Sequence, residues 1–186
     1  MREPRFRRGR TRLRGRLIPA RVLGVDPGSI RTGWGILEGD ADRPCVVACG
    51  EIHIPESQAF AVRLFRLQEA FREVLTRFGP SEAAVESPFH GVSARSALQL
   101  AHARGVLLAE LASAAIPIHE YAPAAVKKAV CGSGRADKGQ VQEMMPRLLG
   151  APSQGRWPPD VSDALALAWC HTAHRRFAVA VARGRS

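Results

Sequence analysis

The chain has 186 residues, 46% of them hydrophobic, which fits one domain long enough to bury a real core. Its formal charge of +10 and pI near 10.8 favour a polyanionic partner, nucleic acid before membrane surface. No apolar run approaches the length of a membrane span, and the basic N-terminus lacks the apolar core of a secretory signal, so a cytoplasmic protein with no membrane partner is expected.

The positive charge is unevenly placed. Residues 1–16 carry eight Arg against Glu3, a net +7, which leaves +3 for the remaining 170 residues. Residues 1–20 therefore read as a basic, disordered extension, 21–182 as the folded domain and 183–186 as a tail. The extension has two readings, a flexible arm adding non-specific DNA affinity or an unselected addition. An Arg-rich, acid-poor start also suits an organelle transit peptide. Arg outnumbers Lys 24 to 3, which a GC-rich genome accounts for, so the lysines Lys127, Lys128 and Lys138 are the more informative. Cys45, Cys49, Cys131 and Cys170 form no C-x-x-C pair and are expected as buried, reduced thiols.

In chain order, residues 21–28 read as a buried strand ending at Pro27-Gly28, and residues 33–38 and 45–54 as the next two strands. Their short connections predict an antiparallel meander. From Ser57 to Phe78 the period changes: Phe60, Leu64, Leu67, Phe71, Val74 and Phe78 mark an amphipathic helix that Gly79-Pro80 stops. Residues 82–86 are a fourth strand, placed by a crossover helix and so parallel to an earlier one. A helix from Ser93 to Ala115 carries Ala97, Leu98, Ala101, Gly105, Leu108 and Ala112 on one face, for packing on the sheet or for a dimer seam. Ile116–His119 is a short fifth strand. Helices follow over Ala122–Val130, Lys138–Leu149 with Pro146 inside it, and Pro159 to about Ala182. Gly132-Ser133-Gly134 reads as a helix stop, or as a phosphate-binding nest.

Four carboxylates stand where simple decoration is a poor account. Asp26 ends the apolar run Val22-Leu23-Gly24-Val25, and Glu86 ends Ala83-Ala84-Val85. If their strands run parallel side by side, both ends lie at one sheet edge, where ligands bind in such folds. Asp160 and Asp163 share a face in the first turn of the last helix, where the macrodipole favours negative charge without any ligand. A turn Asp before Pro-Gly and a solvated strand-end Glu are equally plain accounts of the other two. Their conjunction points instead to a cation, since grouped carboxylates repel and lose water. Oxygen-only ligands favour Mg2+ or Mn2+ over zinc. Two such ions about 3.5–4 Å apart can activate water and stabilise the leaving oxygen of a phosphodiester.

The stretches Val22–Ser29, Thr32–Gly35 and Val85–Phe89 resemble motifs of the RuvC family of crossover junction endodeoxyribonucleases. So do Ser96-Ala97-Leu98, Ala103–Val106, Glu120-Tyr121-Ala122 with Val126-Lys127, Gly132–Val141 and Asp160–Ala168. The resemblance spans about residues 21–172. It implies a ribonuclease H-like α/β fold, a five-stranded mixed sheet flanked by helices. It makes Asp26, Glu86, Asp160 and Asp163 the catalytic acids and ligands of two Mg2+ (or Mn2+) ions per subunit. It implies DNA contacts from Phe89, Lys127 and Lys138, with Lys128 the neighbouring candidate. It also implies a homodimer that resolves Holliday junctions by nicking two strands of like polarity, leaving 5′-phosphates, in recombination and repair alongside a RuvA–RuvB branch-migration complex. Ala101 and Gly139 depart from the residues common there, Gly and Ser. A non-catalytic junction-binding module of the same fold is the first alternative. An actin-like ATPase, which needs two such domains, is the second.

Overall fold

A computed structural model describes residues 12–13, 16–17, 20–39, 44–87, 94–150 and 157–183, with side chains from 20 to 39, 44 to 87, 94 to 150 and 157 to 176. The expected N-terminal extension lies mostly outside the described residues. Within it, Arg12–Leu13 and Arg16–Leu17 form a two-residue antiparallel pair, separate from the main sheet.

The main sheet starts with β1 (Arg21–Asp26), whose Val22, Leu23 and Val25 are fully buried. Pro27, lacking an N–H to donate, closes the strand. β2 (Arg31–Glu38) returns antiparallel, with Asp26 opposite Gly33 and Arg21 opposite Glu38. β3 (Cys45–His53) pairs antiparallel with β2, with an irregularity at Ile36/Leu37. Helix α1 (Phe60–Phe78) then crosses over to β4 (Glu82–Glu86), which lies parallel to β1 with Val25 opposite Val85. Helix α2 (Ala94–Ser113) leads to β5 (Ile118–Tyr121), parallel to β4. The order β3-β2-β1-β4-β5 is the expected five-stranded mixed sheet. Helices α3 (Pro123–Cys131), α4 (Lys138–Leu148) and α5 (Pro159–Arg183) complete the chain.

Strand alternation sorts the core into two layers. Leu23, Val25, Ala83 and Val85 face α1 and α2, packing on Leu67, Phe71, Leu107 and Leu111. Val22 and Ala84 face the other way, with Val126, Val141, Met145, Leu165 and Ala168 of α3, α4 and α5. Asp26 and Glu86 follow that second parity and so project toward α5. The last helix lies unusually close to the sheet because it meets glycines: a Cβ on Gly24 would stand 1.8 Å from the Ala164 carbonyl oxygen. Any side chain there would lift α5 off β1.

Three expectations need correction. The fifth strand begins two residues late, because Pro117 cannot donate to a ladder; its carbonyl instead accepts from the Ala83 N–H. The face of α2 on the sheet is Ala103, Leu107 and Leu111, whereas Ala97, Leu98, Ala101 and Gly105 point outward. Of the four free cysteines only Cys170 is buried, and Cys45 is exposed on an edge strand. Two expected stops hold: Gly79 and Gly132 cap α1 and α3 in the left-handed region, at φ 56 and 74, each closing the last turn with its N–H. The Gly132 segment is thus a helix stop. Trp157 packs on the second core layer, as a cap.

Candidate active site

The four acids are delivered to one end of the sheet by three elements. Asp26 is the last residue of β1 and Glu86 the last of the neighbouring parallel strand β4, one position beyond the paired Val25 and Val85. Adjacent strands stand about 4.8 Å apart, so these two carboxylates begin close together. The start of α5 lies over the same corner. A Cβ on Gly33, the partner of Asp26, would stand 1.9 Å from the Asp160 carbonyl oxygen. Gly33 therefore lets the first turn of α5 rest on β2, bringing Asp160 and, one turn on, Asp163 to the strand ends.

Their charges act on one another. Burial, then repulsion from Asp163 and Glu86, pushes the Asp26 carboxyl up to about 8, against an opposing pull from Lys138. Glu86 is raised by burial and by Asp163, with Lys138 and Lys127 opposing. Asp160 is raised by burial and next by Glu51. Lys138 Nζ binds Asp163 Oδ2 at 2.7 Å, and that bond, with the other acids, holds its ammonium charged. Lys138 is placed there by a capping box, in which Asp137 accepts from the Gln140 N–H and Gln140 accepts from the Asp137 N–H. That box supplies the helix start beside Gly139.

The oxygens of these acids are spread more widely than a single-ion cage. Among the described residues, the side chains whose ligand atoms all lie within 4.8 Å of one another are Glu82, His119 and His171, not a trio of the four acids. Repulsion among uncompensated carboxylates, and the lysine standing beside Asp163, account for the spacing physically.

The structure brings Lys127 and Lys138 to the acids. Lys127 is half-buried and its charge acts on Glu86, whereas the adjacent Lys128 is exposed. Phe89 lies outside the described residues. Three contributors escaped the sequence reading. Glu51 on β3 sits opposite Gly33, in line with Asp26 across the sheet, and pairs with Arg31. Arg104 donates from Nε to the Glu86 carbonyl at 3.3 Å while its guanidinium meets Glu120 at 2.7 Å, fixing the end of β4 from α2. Arg63, buried in α1, donates to the Ser29 carbonyl and so ties down the loop after Asp26. Strand pairing could have suggested Glu51, two residues before the end of β3, and Arg104 lies in the Ala103–Val106 stretch; Arg63 had no local signal.

Comparison with known proteins agrees with this geometry. Residues 22–171 match the family model described as crossover junction endodeoxyribonuclease RuvC. RuvC of Azorhizobium caulinodans is 45% identical over 155 residues, covering 83% of this chain and 90% of that protein. RuvC of Xanthobacter autotrophicus is 46% identical over 163 residues, 88% and 95% of the two chains. The solved structure of T. thermophilus RuvC in complex with a Holliday junction substrate is 30% identical with a TM-score of 0.80, covering 86% of this chain and 96% of that one. With its fold, the acid-lined end of its sheet and these matches across most of its length, the chain belongs to the RuvC family of crossover junction endodeoxyribonucleases.

Proposed function

We propose that this chain is a metal-dependent endonuclease that resolves four-way DNA junctions by hydrolysing one phosphodiester on each of two strands of like polarity. The observation that carries the reading is the meeting of Asp26, Glu86, Asp160 and Asp163, from two strands and a helix, at one sheet end in a chain of this family.

These four side chains would hold two Mg2+ or Mn2+ ions. The donor set fits: it is all oxygen, and Asp26 and Glu86 are both raised by burial and by negative neighbours, so hard cations would offset the repulsion that raises them. Bound there, divalent ions supply Lewis-acid stabilisation of the phosphodiester and a more acidic water. Asp26 must be ionised to serve, which favours activity toward higher pH. Lys138, 61% exposed, can leave Asp163 and bind a phosphate near the scissile bond, and Lys127 offers a second cation on the Glu86 side. Phe89, following Glu86 in sequence, is assigned to stacking on a base at the crossover.

A homodimer fits the approximate two-fold symmetry of a junction. The outward row of α2 supports it: Leu98 is 61% exposed, and a Cβ added at Gly105 would meet open space. Val62 and Phe65 on α1, the helix packed against α2, are exposed as well. The enzyme would work in the cytoplasm on junctions held by a RuvA–RuvB complex; no helix among the described residues is long and apolar enough to cross a membrane. The test is nicking of a synthetic four-way junction against a linear duplex, with Mg2+ and without. Junction-selective, metal-dependent paired nicks with 5′-phosphate ends are expected; binding without cutting over a range of metals, sequences and salt would leave a non-catalytic binding module.

A further inference from the structure

The same strand and helix that carry the acids hold a second, chemically different group at their other ends. β4 runs from Glu82 to Glu86, a distance of roughly 13 Å at strand rise. From Asp163 to His171 α5 runs about 12 Å. Glu86 faces the start of α5, and Glu82 meets His171, with Nε2 donating to Oε2 at 2.6 Å. His119 of β5 stacks on His171, ring centroids 4.2 Å apart. Ligand atoms of Glu82, His119 and His171 all lie within 4.8 Å of one another. His171 is 3% exposed, and its other ring nitrogen, Nδ1, meets Tyr121 Oη at 2.7 Å.

We propose that Glu82, His119 and His171 form a distinct binding site for a borderline divalent cation of the Zn2+ class, which clamps α5 to β4 and β5. Two imidazoles and one carboxylate are donors that prefer zinc to magnesium, whereas the acid site is all oxygen. Three protein ligands leave a fourth position for water, and Glu82 and His119 are only partly buried, so that position reaches solvent. His171 already has the outer partner that metal-bound imidazoles have: with Nε2 on the cation, Nδ1–H donates to Tyr121 Oη. Burial and nearby charge push the Tyr121 phenol up to about 12, which keeps it neutral for that task. Three adjustments are required. His119 must turn out of its stack on His171, because each imidazole holds a cation in its own ring plane and two stacked planes do not meet at one ion. The His171–Glu82 pair must open from 2.6 Å to about 3.3 Å, the separation set by tetrahedral zinc bonds. Arg175, now 3.2 Å from Glu82 and 37% exposed, must swing into solvent. The consequence reaches the acids through α5: fixing the helix at His171 fixes the register of Asp163 and Asp160, about two and three turns away. The site stands on its own donors, whatever reaction the acids perform.

Zn2+, added to the metal-stripped full chain, tests this by competition with a chromogenic chelator and by calorimetric melting. With excess Mg2+ present to occupy the acids, one tight equivalent of Zn2+ should bind to wild type and equally to Asp26→Asn. The melting temperature should rise by about 5–10 °C at free Zn2+ a hundredfold above Kd. His119→Gln and Glu82→Gln should each weaken binding at least tenfold, and Tyr121→Phe by on the order of tenfold. His119 is partly exposed, so its Gln variant should fold; if it does not, Glu82→Gln carries the comparison. Loss of the bound equivalent in Asp26→Asn, its retention in either Gln variant, or no Zn2+ binding by wild type would show that the cluster is a hydrogen-bond network only.

Discussion

Gly33→Ala is the sharpest structural perturbation of the acid site, because it touches no carboxylate. The new Cβ would stand 1.9 Å from the Asp160 carbonyl oxygen and 2.3 Å from its carbon, where real Cβ atoms essentially never come under 3.0 Å. The obstacle is backbone, so no rotamer change relieves it, and the start of α5 must retreat by about 1.1 Å at least. Overpacking of this kind costs about 1–3 kcal/mol. For a chain of this length that lowers the melting temperature by roughly 2–12 °C. The effect on chemistry should be larger, since a displacement of about 1 Å at reacting groups can cost on the order of a hundredfold in rate. Single-turnover cleavage of a four-way junction, beside calorimetric melting, gives both numbers. Wild-type cleavage and wild-type melting together would refute the argument that the contact between β2 and α5 sets the acids in place.

Other outcomes follow from the electrostatics and the exposed faces. Asp26 has its carboxyl raised to about 8 from an ordinary 3.8, so the folded protein keeps a proton that the unfolded chain has released. Without divalent ions, stability should therefore fall as pH rises from about 4 to about 8, and Asp26→Asn should flatten that slope in urea titrations at fixed pH; an unchanged slope would place the titrating group elsewhere. At sub-saturating Mg2+, where that proton competes with the metal for Asp26, cleavage should climb with pH toward 8 while Asp26→Asn stays inactive throughout. Lys127→Ala should reduce the salt slope of junction binding by about one, and Lys128→Ala should do so less near the acids; equal loss of cleavage in both would remove the distinction drawn from Glu86. Leu98→Lys, on the outward face of α2, should convert a dimer to monomers in sedimentation and unlink the two nicks, whereas a dimer that survives it seals elsewhere.

How much could be read from the chain depends on whether a residue's role is local. Asp26 and Glu86 were legible because each ends an apolar run that can only be a buried strand, and the helix between them forces the parallel pairing that sets them side by side. Pro117 displaced the fifth strand because a missing N–H outweighs the apolar look of Ile116. The sheet-facing side of α2 could not be chosen from periodicity: Ala103, Leu107 and Leu111 form one apolar row and Ala97, Leu98 and Ala101 another, and only packing decides between them. The Arg104–Glu120 pair and the Glu82–His119–His171 group were beyond reach for a different reason. Each depends on partners from separate elements, and neither carries a spacing that a single stretch of sequence could display.

The most direct measurement on the acids is anomalous scattering from a crystal of the full chain soaked in Mn2+. Two peaks bounded by the carboxylates of Asp26, Glu86, Asp160 and Asp163 are expected, with Lys138 Nζ moved away from Asp163. Well-ordered carboxylates there with no anomalous density, at Mn2+ concentrations that support junction cleavage, would contradict a two-ion site.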